Sequence, residues 1–254
     1  MTDDVISRAA ERLLVARNGG PRLVDLPEAE RPTSWAEAYA IQNELVARMG
    51  GKVTGWKVGA ADTQAEPFRA ALTERTILLS PAEASHAGHT VLGVEAETVY
   101  RFDKALPTRD APYSEDEVLA AVGSVHAAIE LVDTRFSAWK VAGQLSQVAD
   151  QFSHSALIVG AGREAGIQVD ADNQPVRLSF NGEVVVERRG GNTAGPARRL
   201  LAWMANEGTR SHGGIEAGTY ITTGSWTGII FVAPRTRIEA VFEGIGGVVV
   251  DITD

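Results

Sequence analysis

The chain has 254 residues, a formal net charge of −9 at pH 7 and no cysteine. This acidic balance argues against a nucleic-acid partner, because phosphate backbones require a basic protein surface. A sequence without cysteine excludes disulfides, zinc–cysteine sites, iron–sulfur clusters and thiol nucleophiles. No apolar run approaches the roughly 20 residues that span a bilayer, and the first residues lack the features of a signal peptide. We therefore expect a cytoplasmic protein without a membrane partner.

The first 50 residues are predicted to be helical. Apolar residues in the segment 3–17 recur at helical spacing. In the helix that follows, Ser34 is the expected N-cap, and Glu37 is expected to complete a capping box. We therefore divide the chain into an N-terminal helical region, 1–50, and a β-rich core, 51–254, that forms one structural unit.

The middle of the chain is predicted to contain both strands and helices. Segments 52–60, 90–102 and 154–162 are rich in β-branched and apolar residues, which is typical of strands. Residues 114–132 begin as a helix that Ser114 caps, and they end as an apolar strand. Elements of both kinds are thus interleaved along this part of the sequence.

The last third of the chain is expected to consist mainly of strands and turns. Alternating residues on both sides of Asn181-Gly182 predict a hairpin with a two-residue loop. Segment 195–208 carries the apolar stripe of a helix. Strands and helices do not alternate regularly, so a doubly wound parallel sheet is excluded. The pattern favours the α+β class, with a β-rich barrel or sandwich-like core and surrounding helices.

Two acidic residues occupy the middle of an otherwise apolar predicted strand. Glu95 and Glu97 are two residues apart in the segment 91–102, so their side chains point to the same face. Two neighbouring carboxylates repel each other and weaken the strand. Either this face is exposed to water, as on an edge strand, or a cation lies between the two carboxylates.

A third acidic residue makes the cation the preferred explanation. Glu130 lies in an apolar strand-like run, and a buried carboxylate must be paired, protonated or bound to a metal. Three carboxylates without a histidine or cysteine partner suit a hard divalent cation, Mg²⁺ or Mn²⁺. The sequence therefore predicts a metal site at Glu95, Glu97 and Glu130.

Two further segments carry candidate functional residues. Lys57 lies in an apolar strand bounded by glycines; it is either an exposed strand residue or a pocket residue whose pKa burial lowers towards neutrality. The segment 222–228 offers backbone N–H groups and the hydroxyls of Ser225 and Thr227 to an anion. Taken alone, this second segment is also typical of an ordinary turn.

These motifs, in this order, resemble those of a known family. The family comprises the 2-keto-4-pentenoate hydratases, the 2-oxohept-3-enedioate hydratases and the 4-oxalocrotonate decarboxylases, and it belongs to the fumarylacetoacetate hydrolase-like superfamily. The resemblance spans about residues 35–252. It depends on GWKVG at 55–59, GVEAE at 93–97, AIELVDTRF at 128–136, VADQFSHSALIVG at 148–160, SFNGEVV at 179–185 and TGSWTG at 223–228.

The resemblance implies a β-rich sandwich-roll fold and a bound Mg²⁺ or Mn²⁺ ion. It assigns the metal to Glu95, Glu97 and Glu130, and it makes Lys57 the active-site lysine. It also places Ser225 in the loop beside the substrate. A homo-oligomer, a pentamer or a decamer, is implied as well.

Two more residues are expected to contact the substrate. Thr227 belongs to the same loop as Ser225, and Ser153 lies in the retained part of the segment 146–154. The chain departs from the family in the segment 71–81, which contains no counterpart of the family's catalytic aspartate. Glu74 is the nearest acidic residue and is therefore the alternative candidate.

The resemblance implies a hydratase in the meta-cleavage catabolism of aromatic compounds. The enzyme would add water to a small anionic 2-hydroxy-2,4-dienoate, the tautomer of a 2-oxo-4-enoate, and form a 4-hydroxy-2-oxo acid. Gly-Ser at 224–225 favours the hydratases over the decarboxylases. The alternatives are a 4-oxalocrotonate-type decarboxylase, an acylpyruvate or β-diketone hydrolase, and an inactive metal-binding partner subunit.

The hydrolase alternative requires a histidine that activates water together with a glutamate. His154 is the most interesting candidate, because it lies in the segment that departs from the family pattern. The sequence contains five histidines: His86, His89, His126, His154 and His212.

Overall fold

A computed structural model describes residues 1–164, 169–192 and 194–254 of the protein. A π-helical turn, Met204–Gly208, continues the last helix. In the described residues, no helix is both long enough and apolar enough to cross a membrane. The helices of these ranges are α1 (Asp3–Arg17), α2 (Trp35–Met49), α3 (Glu115–Leu119), α4 (Gln144–Ala149) and α5 (Ala197–Trp203).

Strands make up most of the chain after residue 52. The first seven are β1 (Val53–Gly59), β2 (Phe68–Thr73), β3 (Ile77–Leu79), β4 (Ala82–Ser85), β5 (Gly93–Phe102), β6 (Leu106–Pro107) and β7 (Val122–Val132). The next four are β8 (His154–Glu164), β9 (Pro175–Phe180), β10 (Glu183–Arg189) and β11 (Gly214–Ile215). The remaining four are β12 (Tyr220–Ser225), β13 (Ile230–Phe231), β14 (Arg237–Phe242) and β15 (Gly246–Thr253).

Two sheets form the body of the fold. In the described residues the larger sheet has eight strands, in the order β2-β1-β12-β5-β7-β8-β3, with β13 paired to β5. The smaller sheet has the order β10-β9-β14-β15-β4, and its strands β14 and β15 pack against β7 and β8 of the larger sheet. Both sheets are mixed, with mostly antiparallel neighbours. The predicted α+β class with a β-rich sandwich-roll core and N-terminal helices is confirmed.

The alternation of side chains along β5 and β7 separates the core from the polar face. Val94 and Ile129 join the main apolar cluster together with residues of β14 and β15. Glu95, Glu97 and Glu130 lie one position away in each strand, so they point to the opposite face of the larger sheet. The acidic residues of β5 and β7 therefore stay out of the apolar core between the sheets.

Helices α1, α2 and α4 form a second apolar cluster that includes Leu13, Ile41 and Ala149. The side-chain amide of Gln42 in α2 donates to the carbonyl of Val148 in α4 at 2.7 Å. The N-terminal helices thus pack against an element of the second predicted region. The division of the chain at residue 50 stays a prediction.

The caps of two helices test the predicted helix starts. The Ser34 hydroxyl accepts the N–H of Glu37 at 3.3 Å, as expected of an N-cap. The Glu37 carboxylate, however, accepts the N–H of Thr33 at 2.8 Å and contacts the terminal ammonium of Met1 at 2.7 Å. The prediction of a complete capping box at α2 is therefore wrong, because these two donors take the carboxylate. At α3 the predicted cap on Ser114 is confirmed, and the capping box there is complete.

The predicted hairpin is confirmed between β9 and β10. Phe180 faces Glu183 across the turn, and Asn181 and Gly182 adopt φ values of 51° and 86°. Positive φ at both central residues is the geometry that an Asn-Gly pair favours in a two-residue loop. The helix predicted over 195–208 is also present, although its last turn is π-helical.

Candidate active site

Three carboxylates converge on the outer face of the larger sheet. Glu95 of β5 faces Glu130 of β7 directly across the strand pair, and Glu97 is two residues further along β5. One oxygen of each carboxylate lies within 4.8 Å of the other two. Glu97 and Glu130 are only 2% and 1% exposed. This donor set of hard oxygen atoms is able to hold one divalent cation.

The negative charge of this triad is incompletely compensated within the protein. Burial, followed by the charges of Glu130 and Glu95, raises the pKa of Glu97 to about 8. Burial and the charge of Glu130 also raise the pKa of Glu95. The Thr222 hydroxyl and the Gly224 N–H donate to the Glu97 carboxylate, but neither donor carries a charge. A cation between the carboxylates would relieve this repulsion.

Glu130 is the carboxylate with the most partners. Lys57 donates to its two oxygens at 2.7 and 2.9 Å, and His154 Nδ1 lies 2.9 Å from one of them. Burial alone would raise the pKa of Glu130, but Lys57 and His154 outweigh it and lower the pKa. Glu130 is therefore the member of the triad that ionises most readily.

Lys57 points into the same space as the three carboxylates. Its side chain is partly buried, and burial acts to lower the pKa of its ammonium group. The charges of Glu130, Glu95 and Glu97 act in the opposite direction and together raise that pKa. The expectation that burial would bring the pKa of Lys57 towards neutrality is therefore wrong for the triad without a cation, because three carboxylates surround one ammonium.

His154 supports Glu130 from behind. The imidazole is 0% exposed, and burial lowers its pKa to about 4, so the ring is neutral near pH 7. Because the Glu130 carboxylate only accepts, the ring proton lies on Nδ1, and Nε2 accepts from the Thr76 hydroxyl at 3.1 Å. His154 is thus a positioning residue for Glu130, with both ring nitrogens already bonded.

An unusual turn brings this histidine to the site. Gln151, Phe152 and Ser153 have φ values of 52°, 50° and 64°, and none of them is glycine. Residues in this left-handed region cost of order 1–3 kcal/mol each unless the surroundings enforce them. The turn presents the Phe152 carbonyl to Lys57 Nζ at 3.3 Å. Its strained backbone therefore forms part of the site.

Buried charges hold the turn in place. Arg135 is bonded to Asp150 at 2.5 Å, and these side chains are 2% and 0% exposed. Arg17 of α1 donates to the His154 carbonyl at 2.8 Å and to the Gln151 side chain at 2.9 Å. The first helix of the chain is thereby tied to the segment that supports the triad.

The three carboxylates line a cavity of about 240 Å³. Its polar end carries the triad, Lys57 and Ser225, while the rings of Phe68 and Phe152 stack along another part of its wall with centroids 4.0 Å apart. The remaining described wall is formed by Val58, Gly59, Ala60, Asn192, Ala194 and Gly224. The cavity thus combines a charged end with a largely apolar wall.

The three residues that were predicted to contact the substrate have different surroundings in the structure. Ser225 lines the cavity, and its side chain acts to lower the pKa of Glu95. The Thr227 hydroxyl instead accepts the N–H of Ala96 at 3.0 Å, and the cavity wall described above does not include it. Ser153 is buried, and its carbonyl accepts the N–H of Asp133. Substrate contact by any of these three residues stays a prediction.

The remaining sequence candidates lie apart from the cavity. Glu74 is exposed, and its carboxylate accepts the N–H of Lys52 at 3.3 Å. His89 lies near Ser155, and His126 contacts the Gly160 carbonyl. Of the histidines, His154 is the one that touches the triad. None of the described wall residues of the cavity comes from the segment 71–81.

Sequence reasoning missed three wall residues. Asn192 carries the signal of a polar residue next to glycines, since Gly190 and Gly191 precede it. Phe68 and Phe152 carry no such signal, because their contact depends on the turn after α4. These aromatic residues could be found only from the folded chain.

Comparison with known proteins places the chain in a family. The sequence profile described as fumarylacetoacetate (FAA) hydrolase C-terminal matches residues 66–253. The chain belongs to this family. It is accordingly an enzyme of the FAA hydrolase superfamily, as the sequence motifs indicated.

Relatives within the family carry two activities in their names. A 4-oxalocrotonate decarboxylase of Pseudomonas putida is 35% identical over 133 residues, which cover 52% of this chain and 50% of that protein. A 2-keto-4-pentenoate hydratase of Paraburkholderia xenovorans is 26% identical over 98% of this chain and 95% of that protein. Both kinds of relative are thus similar to this FAA hydrolase family member.

Two solved structures share the fold of this chain at low sequence identity. The 4-oxalocrotonate decarboxylase from Pseudomonas putida G7, complexed with calcium and acetate, superposes with a TM-score of 0.84 at 25% identity. The match covers 99% of this chain and 98% of that one. The same enzyme complexed with magnesium and adipate gives a TM-score of 0.83 at 26% identity. The fold is shared over essentially the whole chain.

Cation binding to the triad should depend on pH. Because the pKa of Glu97 is raised to about 8, this carboxylate holds a proton at pH 7 that an incoming cation must displace. The affinity for Mg²⁺ should rise by up to about tenfold per pH unit as the pH approaches that pKa, and it should level off above it. Calorimetry in buffers of different ionisation enthalpy counts the released proton. An affinity that is independent of pH, without proton release, would contradict this electrostatic description.

Proposed function

We propose that this protein is a metal-dependent hydratase. It adds water to a small 2-hydroxy-2,4-dienoate and forms a 4-hydroxy-2-oxo acid in the meta-cleavage catabolism of aromatic compounds. The observation that carries the proposal is the buried carboxylate triad with Lys57 beside it, at the end of an otherwise largely apolar cavity. The family membership supports this class of chemistry.

Glu95, Glu97 and Glu130 would hold the metal. Carboxylate oxygens without nitrogen or sulfur donors suit Mg²⁺ or Mn²⁺, and the raised pKa of Glu97 is in keeping with a triad whose charge Lys57 compensates only in part. When bound, the ion supplies Lewis-acid stabilisation of the negative charge that develops on a substrate oxygen. His154 keeps Glu130 oriented for this role through its Nδ1 proton.

Lys57 is assigned the proton transfer. Loss of the proton of the substrate's 2-hydroxyl group together with protonation of its terminal carbon converts the dienol into a conjugated 2-oxo-enoate, and water then adds to the far carbon of the double bond. The Lys57 ammonium is the acid nearest to the triad, and it also attracts the substrate carboxylate. Phe68 and Phe152 give the same cavity an apolar stretch of wall.

The cavity wall favours a hydratase over a decarboxylase for dicarboxylic substrates. Among the described wall residues Lys57 is the one cation, and the carboxylate next to the reacting carbons requires it. A second carboxylate at the far end of the substrate would find no further cation among the described wall residues. A substrate with a small apolar far end therefore fits better.

The two other activities receive less support from the site. A β-diketone hydrolase needs a histidine that is free to activate water, whereas both nitrogens of His154 are bonded and its ring is buried. An inactive subunit would need neither Lys57 at the triad nor an open cavity.

The proposal also includes a cytoplasmic homo-oligomer, a pentamer or a decamer, which rests on the resemblance to the hydratase group.

Product analysis tests the proposed reaction. Freshly generated 2-hydroxypenta-2,4-dienoate should lose its ultraviolet absorbance in the presence of the protein and Mg²⁺, with a 4-hydroxy-2-oxo acid as product. The dicarboxylic homologue should react with a kcat/KM at least about tenfold lower, because its second carboxylate would be desolvated without a cation.

The other products would identify the alternatives. Release of carbon dioxide from the dicarboxylic compound would replace the hydratase by a decarboxylase, and cleavage of an acylpyruvate would replace it by a hydrolase. If none of the three compounds reacted in the presence of Mg²⁺ or Mn²⁺, the inactive-subunit alternative would stand.

A further inference from the structure

A second cavity lies on the other face of β1 and β2. Lys57 and Phe68 point into the first cavity, so their chain neighbours Trp56 and Arg69 point the opposite way. Arg69 lines a cavity of about 510 Å³ between α2, β2 and the segment 203–211. The two cavities therefore share a pair of strands but have separate walls.

Arg69 is a buried cation without a counter-charge in the described part of the chain. The residue is 4% exposed, and no carboxylate of the described residues comes within 4.0 Å of its nitrogens. One hydrogen bond is present, to the Gln42 side chain at 3.4 Å. A guanidinium has five donors, and a buried charge without a partner is costly. The burial lowers the pKa of Arg69.

The guanidinium is fixed in a defined orientation. Its central carbon lies 4.6 Å from the centroid of the Tyr39 ring and 4.9 Å from that of Trp56. These rings hold the group in place through cation–π contacts, while the Gln42 amide engages one of its nitrogens. A planar group held in this way can offer two parallel N–H donors to one carboxylate.

The rest of the wall suits an anion with an apolar body. Arg210 contributes a second cation, and the rings of Tyr39 and Trp203 contribute apolar surface. Asn43 also lines the cavity; its buried Oδ1 has no hydrogen-bond partner among the described residues and, as an acceptor, would take a donor group rather than the carboxylate. Glu207 also lines the cavity, but it is exposed and forms no ion pair with either arginine in the described structure.

We propose that this second cavity binds a small organic carboxylate. The carboxylate would meet the guanidinium of Arg69, and the apolar body of the ligand would lie against Tyr39 and Trp203. The proposal does not depend on the reaction catalysed in the first cavity. It assigns a ligand to a buried charge that the proposed hydratase chemistry does not use.

Benzoate is a suitable probe, because it combines one carboxylate with an apolar ring. Its binding to the full-length protein can be followed by calorimetry and by the fluorescence of the tryptophans at the site. Arg69→Met keeps the length of the side chain and removes the charge, and it should weaken binding at least about tenfold, the effect of losing a charge-assisted hydrogen bond. Lys57→Ala, which alters the first cavity, should leave this affinity unchanged.

A second variant keeps the test valid even if the Arg69→Met protein does not fold. Asn43→Asp keeps the shape of the side chain and places a negative charge in the same cavity, so it should also weaken benzoate binding at least about tenfold. Unchanged affinity in both Arg69→Met and Asn43→Asp would overturn the proposal. Loss of binding in Lys57→Ala alone would assign the benzoate to the first cavity and would overturn it equally.

The proposal is also wrong if another copy of the chain supplies the missing carboxylate. In that case the wild-type protein would be an oligomer that does not bind benzoate, and Asn43→Asp would dissociate it. Sedimentation of both proteins, with and without benzoate, separates that outcome from binding of a small carboxylate.

Discussion

Replacing Glu95 and Glu97 by glutamine should abolish divalent-cation binding. Mg²⁺ or Mn²⁺ titrated into the metal-free wild-type protein should bind at one saturable site. In the Glu95→Gln, Glu97→Gln double variant the affinity should fall at least ~100-fold, because two of three charged oxygen donors become neutral amides. Calorimetry measures both titrations directly.

A matched variant controls for the change in net charge. Glu183 and Glu187 are exposed residues of β10, and changing both to glutamine removes at least as much negative charge away from the triad. This control should bind the cation as the wild type does. Unchanged cation binding in the Glu95→Gln, Glu97→Gln variant would contradict the assignment of the metal site to these residues.

The same double variant should remain folded without metal. In the metal-free protein the pKa of Glu97 is raised to about 8, so the native state loses stability as pH rises from the ordinary glutamate pKa through that value. Glutamine removes this pH-dependent loss. Thermal unfolding at a pH above about 8 should therefore show the variant at least as stable as the metal-free wild type, which separates loss of binding from loss of structure.

Turnover should depend on the chemistry of Lys57 as well as on its charge. Lys57→Ala and Lys57→Arg should each reduce turnover at least ~100-fold, the lower end of the range for general acid–base catalysis. Arginine keeps the positive charge but cannot give up its proton in this pH range. If Lys57 served only to bind the substrate carboxylate, Lys57→Arg would retain substantial activity.

The raised pKa of Lys57 in the metal-free triad is compatible with this role. Three carboxylates raise that pKa, and Glu130 contributes most among them. In a loaded site a divalent cation neutralises two of the three negative charges. The lowering of the Lys57 pKa by burial would then be opposed less, which would make the ammonium a better acid.

Two measurements complete the test of Lys57. Both variants should still bind the divalent cation, since the triad keeps its three carboxylates. Lys52→Ala is the matched control, because Lys52 is an exposed lysine whose ion pair with Glu216 lies at the surface. Near-normal turnover in Lys57→Ala would remove this residue from the mechanism. His154, the remaining titratable group at Glu130, would then be the next candidate.

The triad could be predicted because its signal is local. Glu95 and Glu97 share one face through the two-residue period of a strand, and Glu130 is conspicuous in its apolar surroundings. The same local logic located Lys57 on β1 and the hairpin at Asn181-Gly182. None of these inferences required knowledge of how distant segments meet, although the family resemblance made their combination specific.

The missed parts of the site depend on tertiary contacts. The turn at 151–153 adopts left-handed φ values without glycine, and a buried ion pair from Arg135 to Asp150 maintains it. Because this turn positions Phe152 and His154, neither role could be derived from spacing. The hydroxyl of Thr227 is engaged by the β5 backbone, a pairing that only the folded sheet reveals.

The carboxylates of β5 and β7 also disfavour an incorrect register between these strands during folding. Because neighbouring side chains point to opposite faces, a slip of one residue would turn Glu95, Glu97 or Glu130 into the apolar layer between the two sheets. Each acid moved there would cost several kcal/mol, even if it became protonated. The free-energy cost of a wrong register therefore falls mainly on the three glutamates of the proposed metal site. A molecule with the correct register has also assembled its triad.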